Sequence, residues 1–152
     1  MRSVTAEELV KRFGLTPHVE GGAFLELDEP VKEGRAASGV IYYALDRGET
    51  SDFHVLDSDE YWLWHAGGTL EIWMISPDGA LEIRNLGIRE GAEPCVLVKA
   101  GVIFGARHAA DDEECTFLSC VTVPRFSYET YRILSREEAE ETCAEVSAFF
   151  EE

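Results

Sequence analysis

The chain has 152 residues, room for one domain with a substantial core, and an apolar fraction of 45% separates it from disordered sequences. With 13 Lys and Arg against 30 Asp and Glu the net charge is −17, a surface that repels phosphate backbones and anionic lipid, so neither nucleic acid nor a membrane is an expected partner. No apolar run spans a bilayer, Met1-Arg-Ser-Val-Thr leads into an amphipathic pattern rather than a secretory leader, and Cys95, Cys115, Cys120 and Cys143 form no C-x-x-C or zinc spacing, so a cytoplasmic chain with reduced, core-filling thiols is expected.

The first predicted element is a short helix. Thr5 and Glu8 form a capping box, Ala6, Leu9, Val10 and Phe13 follow helical spacing, and Gly14 and Pro17 stop it. The text then turns to short runs rich in Val, Ile, Tyr, Phe and Trp. Strands are predicted at Ala23–Leu27, Ser38–Leu45, Ser51–Asp57, Tyr61–His65, Thr69–Ile75, Ala80–Leu86, Pro94–Val98, Val102–Ala106, Thr116–Val123 and Tyr128–Ile133. Turn residues punctuate them, as in Asp46-Arg-Gly48 and Ser76-Pro-Asp-Gly79. Ser135 and Glu138 cap a last helix with Ala139, Cys143, Val146 and Phe150 on one stripe. Many short, evenly spaced strands argue for an all-β sandwich or barrel in one domain, residues 1–152, with the helices packed on it or at a subunit contact.

The stretch from Gly48 to Gly67 concentrates the chemistry. His54 and Glu60 lie an even number of residues apart, so extended backbone puts them on one face. An imidazole and a carboxylate converging inside a β-fold make a metal site, an acid/base pair or a polar ligand pocket; the bland alternatives are a buried His satisfied by a neighbour and an ion-paired Glu. Trp62 and Trp64 share the parity of Glu60 and either stack on a flat ligand or fill the core.

The same stretch resembles the first motif of the cupin superfamily: glycine, five residues, histidine, one residue, histidine, three or four residues, glutamate, six residues, glycine. Gly48, His54, Glu60 and Gly67 fall on the pattern, and Leu56 holds the second histidine position. A degenerate second motif is read over Gly91–Phe104, with Gly91 and Gly101 as its glycines, Lys99 in place of a proline and Phe104 where a metal-binding histidine would stand. Pro17-His-Val-Glu20-Gly21-Gly22, Ser38-Gly-Val-Ile-Tyr42, Asp59-Glu60-Tyr-Trp62, His65-Ala-Gly67, Ala100-Gly101-Val102 and Val123-Pro124 follow in the order of the fifth cupin family, to which the chain is similar over nearly its whole length.

The resemblance implies a cupin jelly-roll β-barrel with short flanking N- and C-terminal helices, commonly a homodimer, with a polar pocket at the open end. It implies a small polar molecule as partner. One reading is an enzyme acting on a sugar or nucleotide-sugar by isomerase- or epimerase-like acid/base chemistry, with His54, Glu60, Tyr42 and His65 as catalytic candidates. Glu20, Ser51, Trp62, Trp64 and Phe104 are candidates for ligand binding. The alternatives are a ligand-binding or sensing cupin without turnover, and a metal-dependent cupin oxygenase. Cupin metal sites use three histidines and a glutamate. Leu56 and Phe104 occupy two of those places, so a divalent metal held by His54 and Glu60 needs His65 as a third ligand, and the odd parity of His65 then requires a bulge. Arg107 and His108 are read as rim residues that meet either an anion or solvent.

Overall fold

The structure is a computed structural model that describes residues 3–28, 31, 33–112 and 114–151; Met1 and Arg2, part of the predicted lead into the first helix, lie outside the described residues. Helix α1 (Ala6–Phe13) starts where Thr5 accepts a hydrogen bond from the Glu8 backbone and ends at Gly14, as its capping residues dictate. Eleven strands follow: β1 (Thr16–Pro17), β2 (Ala23–Glu26), β3 (Gly39–Leu45), β4 (Ser51–Val55), β5 (Asp59–Gly67), β6 (Leu70–Ile75), β7 (Leu81–Leu86), β8 (Cys95–Val98), β9 (Ile103–His108), β10 (Thr116–Val123) and β11 (Arg132–Ile133). β1 has no counterpart among the predicted strands, and the strand predicted from Tyr128 shrinks to β11, because Pro124–Tyr131 is loop.

The strands form two antiparallel sheets in jelly-roll fashion, ordered β1-β2-β3-β10-β5-β8 and β11-β4-β9-β6-β7. Their inner faces meet in one apolar cluster. Tyr43, Trp62, Val96, Val98 and Leu118 come from the first sheet, and Leu70, Ile72, Met74, Leu86 and Phe104 from the second. Burial of these side chains is the main term holding the sheets together.

The outer faces are covered too. Leu9 and Phe13 of α1 pack over β3 and β10, with Phe13 stacked on Phe117 at 5.2 Å. On the other sheet, helix α2 (Arg136–Thr142) carries a complete Ser135–Glu138 capping box. The predicted continuous helix breaks at Cys143, whose φ of −152° is extended, and a 3-10 segment runs from Ala144 to Phe150. The break turns Phe149 into the core beside Phe53 (4.6 Å) and Trp73 (5.5 Å), while Phe150 is only partly buried. Cys115, Cys120 and Cys143 are buried free thiols and Cys95 is exposed. Among the described residues no helix is long and apolar enough to cross a membrane.

Phe149→Ala is expected to cost about 3–5 kcal/mol in urea denaturation, the range for an emptied aromatic site. Glu145→Ala, on the exposed side of the same segment, is expected to change stability by less than about 0.5 kcal/mol.

Candidate functional site

The tight hairpin between β1 and β2 builds the site. Its tip, His18-Val-Glu20-Gly21-Gly22, is closed by His18 N–H to the Gly22 carbonyl (2.9 Å) and Gly21 N–H to the His18 carbonyl (3.1 Å). Gly21 and Gly22 have φ of 112° and 73°, where side chains are strained; a Cβ on Gly21 would lie 2.0 Å from the Thr50 carbonyl oxygen and one on Gly22 2.6 Å from that of Ala44. Only glycine lets the tip sit this tightly against β3 and the start of β4. The Tyr43 hydroxyl donates to the Gly21 carbonyl (2.6 Å) and Asp52 N–H to the Glu20 carbonyl (2.9 Å), fixing the tip from both sheets. The Glu20 side chain is thereby driven inside, with 6% exposure.

His54, on β4, meets it there. Its Nδ1 lies 2.6 Å from the Asp52 carbonyl, which only accepts, so that nitrogen is assigned the proton. Its Nε2 then faces Glu20 Oε2 at 3.4 Å. One proton between the two makes this contact attractive; without it two lone pairs oppose one another. Tyr131 donates to the same Oε2 at 2.9 Å. His18 completes the cluster: the Glu20 backbone N–H donates to its Nδ1 at 3.1 Å, and burial lowers its pKa, so it is neutral.

Glu60, on β5, lines the same cavity from the other sheet. It is 7% exposed and its Oε2 has no hydrogen-bond partner among the described residues. Burial first, and the negative neighbour Glu20 second, push its pKa up to about 8, against smaller opposing pulls from Cys120 and Trp62 that close no hydrogen bond to Oε2. Glu60 is therefore a neutral acid near pH 7. Burial, then Glu20, also raises the Tyr131 and Tyr43 phenols, which stay protonated donors.

The rest of the lining is largely apolar: Phe24, Ile41 and Leu56 below, Phe126 and Tyr128 at the mouth. The loop carrying Phe126, Tyr128 and Tyr131 is tied down from outside. Arg35 grips Asp57 with two hydrogen bonds of 2.8 Å and donates to the Arg125 carbonyl, and Thr130 donates to Asp57 at 2.8 Å. Phe126 and Tyr131 pack ring to ring at 5.0 Å.

His54, Glu60 and Glu20 of the predicted candidates come together at this cavity. Others do not. Tyr42 lies on the outer face against Phe13 (5.2 Å) and Phe117 (5.4 Å); the tyrosine that turns inward is Tyr43. The bulge that His65 needs exists, since Trp64 pairs with Leu118 and Ala66 with Phe117, but it leaves His65 on the outer face beside Phe117 and bonded to Ser119. Trp62 is fully buried core beside Tyr43 and Phe104; Trp64 packs at the edge of that core and donates to the Gly68 carbonyl. Ser51 is buried with an unpartnered hydroxyl, away from the cavity lining. Phe104 presses on the His54 ring at 4.2 Å. Arg107 is no rim residue: it pairs with Glu71 (2.8 Å), covers the Trp73 ring and holds the C-terminal carbonyls. His108 sits beside Thr116 at 3.3 Å.

Two polar groups escape sequence reasoning. His18 was legible only as part of a turn, and Tyr131 reaches Glu20 across a sequence separation of 111 residues, which no local pattern signals.

A jelly roll with a polar pocket at one end defines a cupin. The chain belongs to the family described as Cupin superfamily (DUF985), whose profile matches residues 7–134. It is similar to a solved protein of Shewanella oneidensis, with 33% identity, TM-score 0.83, and 93% of this chain and 90% of that one covered. A hypothetical protein from Leishmania major is 30% identical with TM-score 0.81, covering 91% and 92%. Oxalate decarboxylase from Bacillus subtilis shares the fold at 16% identity and TM-score 0.61, with 88% of this chain matched to 34% of that one. No curated protein matches.

The residues present do not fit the cupin metal set. Leu56 and Phe104 fill two of its places, His65 faces outward, and His54 turns its Nε2 toward Glu20. Among the described residues no group of three or more His, Cys, Asp or Glu is arranged to hold a metal ion.

A carboxyl with a raised folded pKa keeps its proton in the native state after the unfolded chain has released it. Between the ordinary 4.5 and about 8 the native state binds more protons, so the Glu60 contribution to stability falls as pH rises through that window. Wild type is expected to lose stability between about pH 5 and pH 8 relative to Glu60→Gln, by on the order of a few kcal/mol at about 1.4 kcal/mol per pKa unit. Parallel urea titrations of the two proteins at the two pH values check this.

Proposed function

We propose that this cupin binds a small polar metabolite in the cavity between Glu20 and Glu60 and moves a proton on it without a metal. The observation that carries the reading is that one cavity holds a buried neutral acid, Glu60, together with Glu20 and His54 in contact at 3.4 Å. An acid kept neutral by its surroundings beside a second polar group on the other side of a cavity suits a division of acid and base roles. The His54–Glu20 pair is the base, Glu60 the acid, and Tyr131 and Tyr43 hold Glu20 and its turn in place. Isomerisation or epimerisation of a sugar-like compound suits such a pair. A nucleotide-sugar suits it poorly: its phosphates would meet Glu20, Glu26 and Glu60 with no Lys or Arg among the described lining residues.

A second reading, a binding protein without turnover, is favoured by the narrowness of the cavity, about 40 Å³, space for a few waters or one small headgroup. A thermal-shift screen of tag-free protein against sugars, small acids and amines, with divalent metals and with EDTA, followed by turnover assays on every hit, separates the readings. The expected result is stabilisation by an organic compound that EDTA does not alter. His54→Ala and Glu60→Gln are expected to lower turnover about 10²–10⁴-fold, the usual contribution of a general acid or base, and Tyr42→Phe to leave it unchanged. Turnover undiminished in the first two variants, or a hit that emerges chemically unchanged, contradicts the catalytic reading; a shift that EDTA abolishes contradicts the metal-free one.

A further inference from the structure

The lining of the cavity has a composition of its own. Three carboxyl side chains, Glu20, Glu26 and Glu60, and three aromatic side chains, Phe24, Phe126 and Tyr128, share it with two histidines. Lys and Arg are missing from the described lining. Of the carboxyls, Glu26 is answered at the surface by Arg125 at 3.4 Å. Glu20 and Glu60 lie inside; Glu20 meets the Tyr131 phenol and the His54 imidazole, and Glu60 Oε2 has no hydrogen-bond partner among the described residues. A buried polar oxygen with no hydrogen-bond partner is costly to leave alone, and this one lines an opening wide enough for a small group.

We propose that the ligand is a small organic cation, its ammonium group seated between Glu20 and Glu60 and its carbon substituents against Phe24, Phe126 and Tyr128. The assignment rests on the cavity being the binding site, as proposed above, and adds the charge of what fills it. An ammonium N–H, or a polarised C–H of a quaternary ammonium, places positive charge beside Glu20 and gives Glu60 Oε2 the partner it lacks among the described residues. Aromatic faces carry negative charge at their centres and attract cations where water is excluded. A net charge of −17 draws cations toward the protein and repels anions before contact. A neutral sugar uses the carboxyls but gains nothing from the aromatic rim beyond apolar contact, and an anion meets repulsion from both. The narrow cavity suits a headgroup rather than an extended molecule. Arrival of a cation also favours the ionised form of Glu60, so binding releases a proton.

Isothermal titration with four probes tests this: choline chloride, its neutral isostere 3,3-dimethylbutan-1-ol, glucose and inorganic phosphate. Choline is expected to bind at least about tenfold more tightly than the neutral isostere, and phosphate not at all, since removing a desolvated charge from an aromatic and carboxylate site forfeits roughly 1.4 kcal/mol or more. Choline binding is expected to weaken about tenfold in Glu60→Gln and in Tyr128→Ala; Tyr128 is 60% exposed, so its loss leaves the fold intact. Equal affinity for choline and its isostere, or no choline binding, overturns the cation assignment. Glucose binding that Glu60→Gln weakens, without choline binding, overturns it while keeping the cavity as the binding site. Glucose or choline binding that neither variant alters removes the cavity itself.

Discussion

Glu20 is a carboxyl carried by a surface hairpin and buried at the mouth of a β-sandwich, and its field reaches groups on several elements around it. It stands among the causes that raise Glu60, Tyr43 and Tyr131. It gives His54 Nε2 a partner, and it accepts the Tyr131 hydroxyl. Burying such a group is costly unless donors gather round it: the Tyr131 hydroxyl donates to its Oε2 and His54 turns its Nε2 toward it, while the Asp52 N–H and the Tyr43 hydroxyl hold the hairpin backbone that carries it. Glu60 then cannot ionise cheaply beside it. The polarity of the cavity follows from this one placement.

The fold makes that placement affordable by separating two environments. Toward β6, β7 and β8 the space between the sheets is filled with Leu, Ile, Val and Met and leaves no room for a ligand. Toward the β1–β2 hairpin and the loop after β10 the filling stops and the polar cluster begins. α1 seals one outer face and the α2 with 3-10 segment the other, so the sheets that position Glu60 and His54 are braced from both sides. Arg35 and Asp57 tie the aromatic loop over the cavity from the solvent side, where the guanidinium holds the Asp57 carboxyl down to about 2. Rigid support of this kind keeps a small cluster in one geometry.

Much of the fold was legible because strand runs, turns and caps are local signals: nearly every predicted strand appears within two residues of its observed limits, and both caps form. His54 and Glu60 meet at one cavity as expected, but not by the parity that paired them: they stand on β4 and β5, in different sheets, and the turn between the two strands breaks the count. Tyr42 and Tyr43 could not be told apart by parity either. β3 is covered on both faces, by the core on one side and α1 on the other, so its apolar residues do not alternate and parity loses its reference. His65 was tied to a bulge, and the bulge formed; which way the extra residue turned depended on Ser119 and Phe117 across the sheet. Tyr131 and His18 join the cluster only through tertiary contacts. The C-terminal stripe failed at Phe150 because the helix unwinds at Cys143, changing the period from 3.6 to about 3 residues per turn and exchanging Phe150 for Phe149.

The central claim is that Glu60 is a neutral acid, buried in the same cavity as Glu20. Isotope-edited infrared difference spectroscopy of wild type against Glu60→Gln, at about pH 7, reads the protonation of that one carboxyl directly. The account predicts a protonated carboxylic-acid carbonyl band in the wild type that the variant lacks, consistent with a pKa raised by burial and by Glu20 to about 8. A difference spectrum containing only a carboxylate band at that pH would mean that Glu60 is ionised, and the division of acid and base between the two sides of the cavity would be wrong.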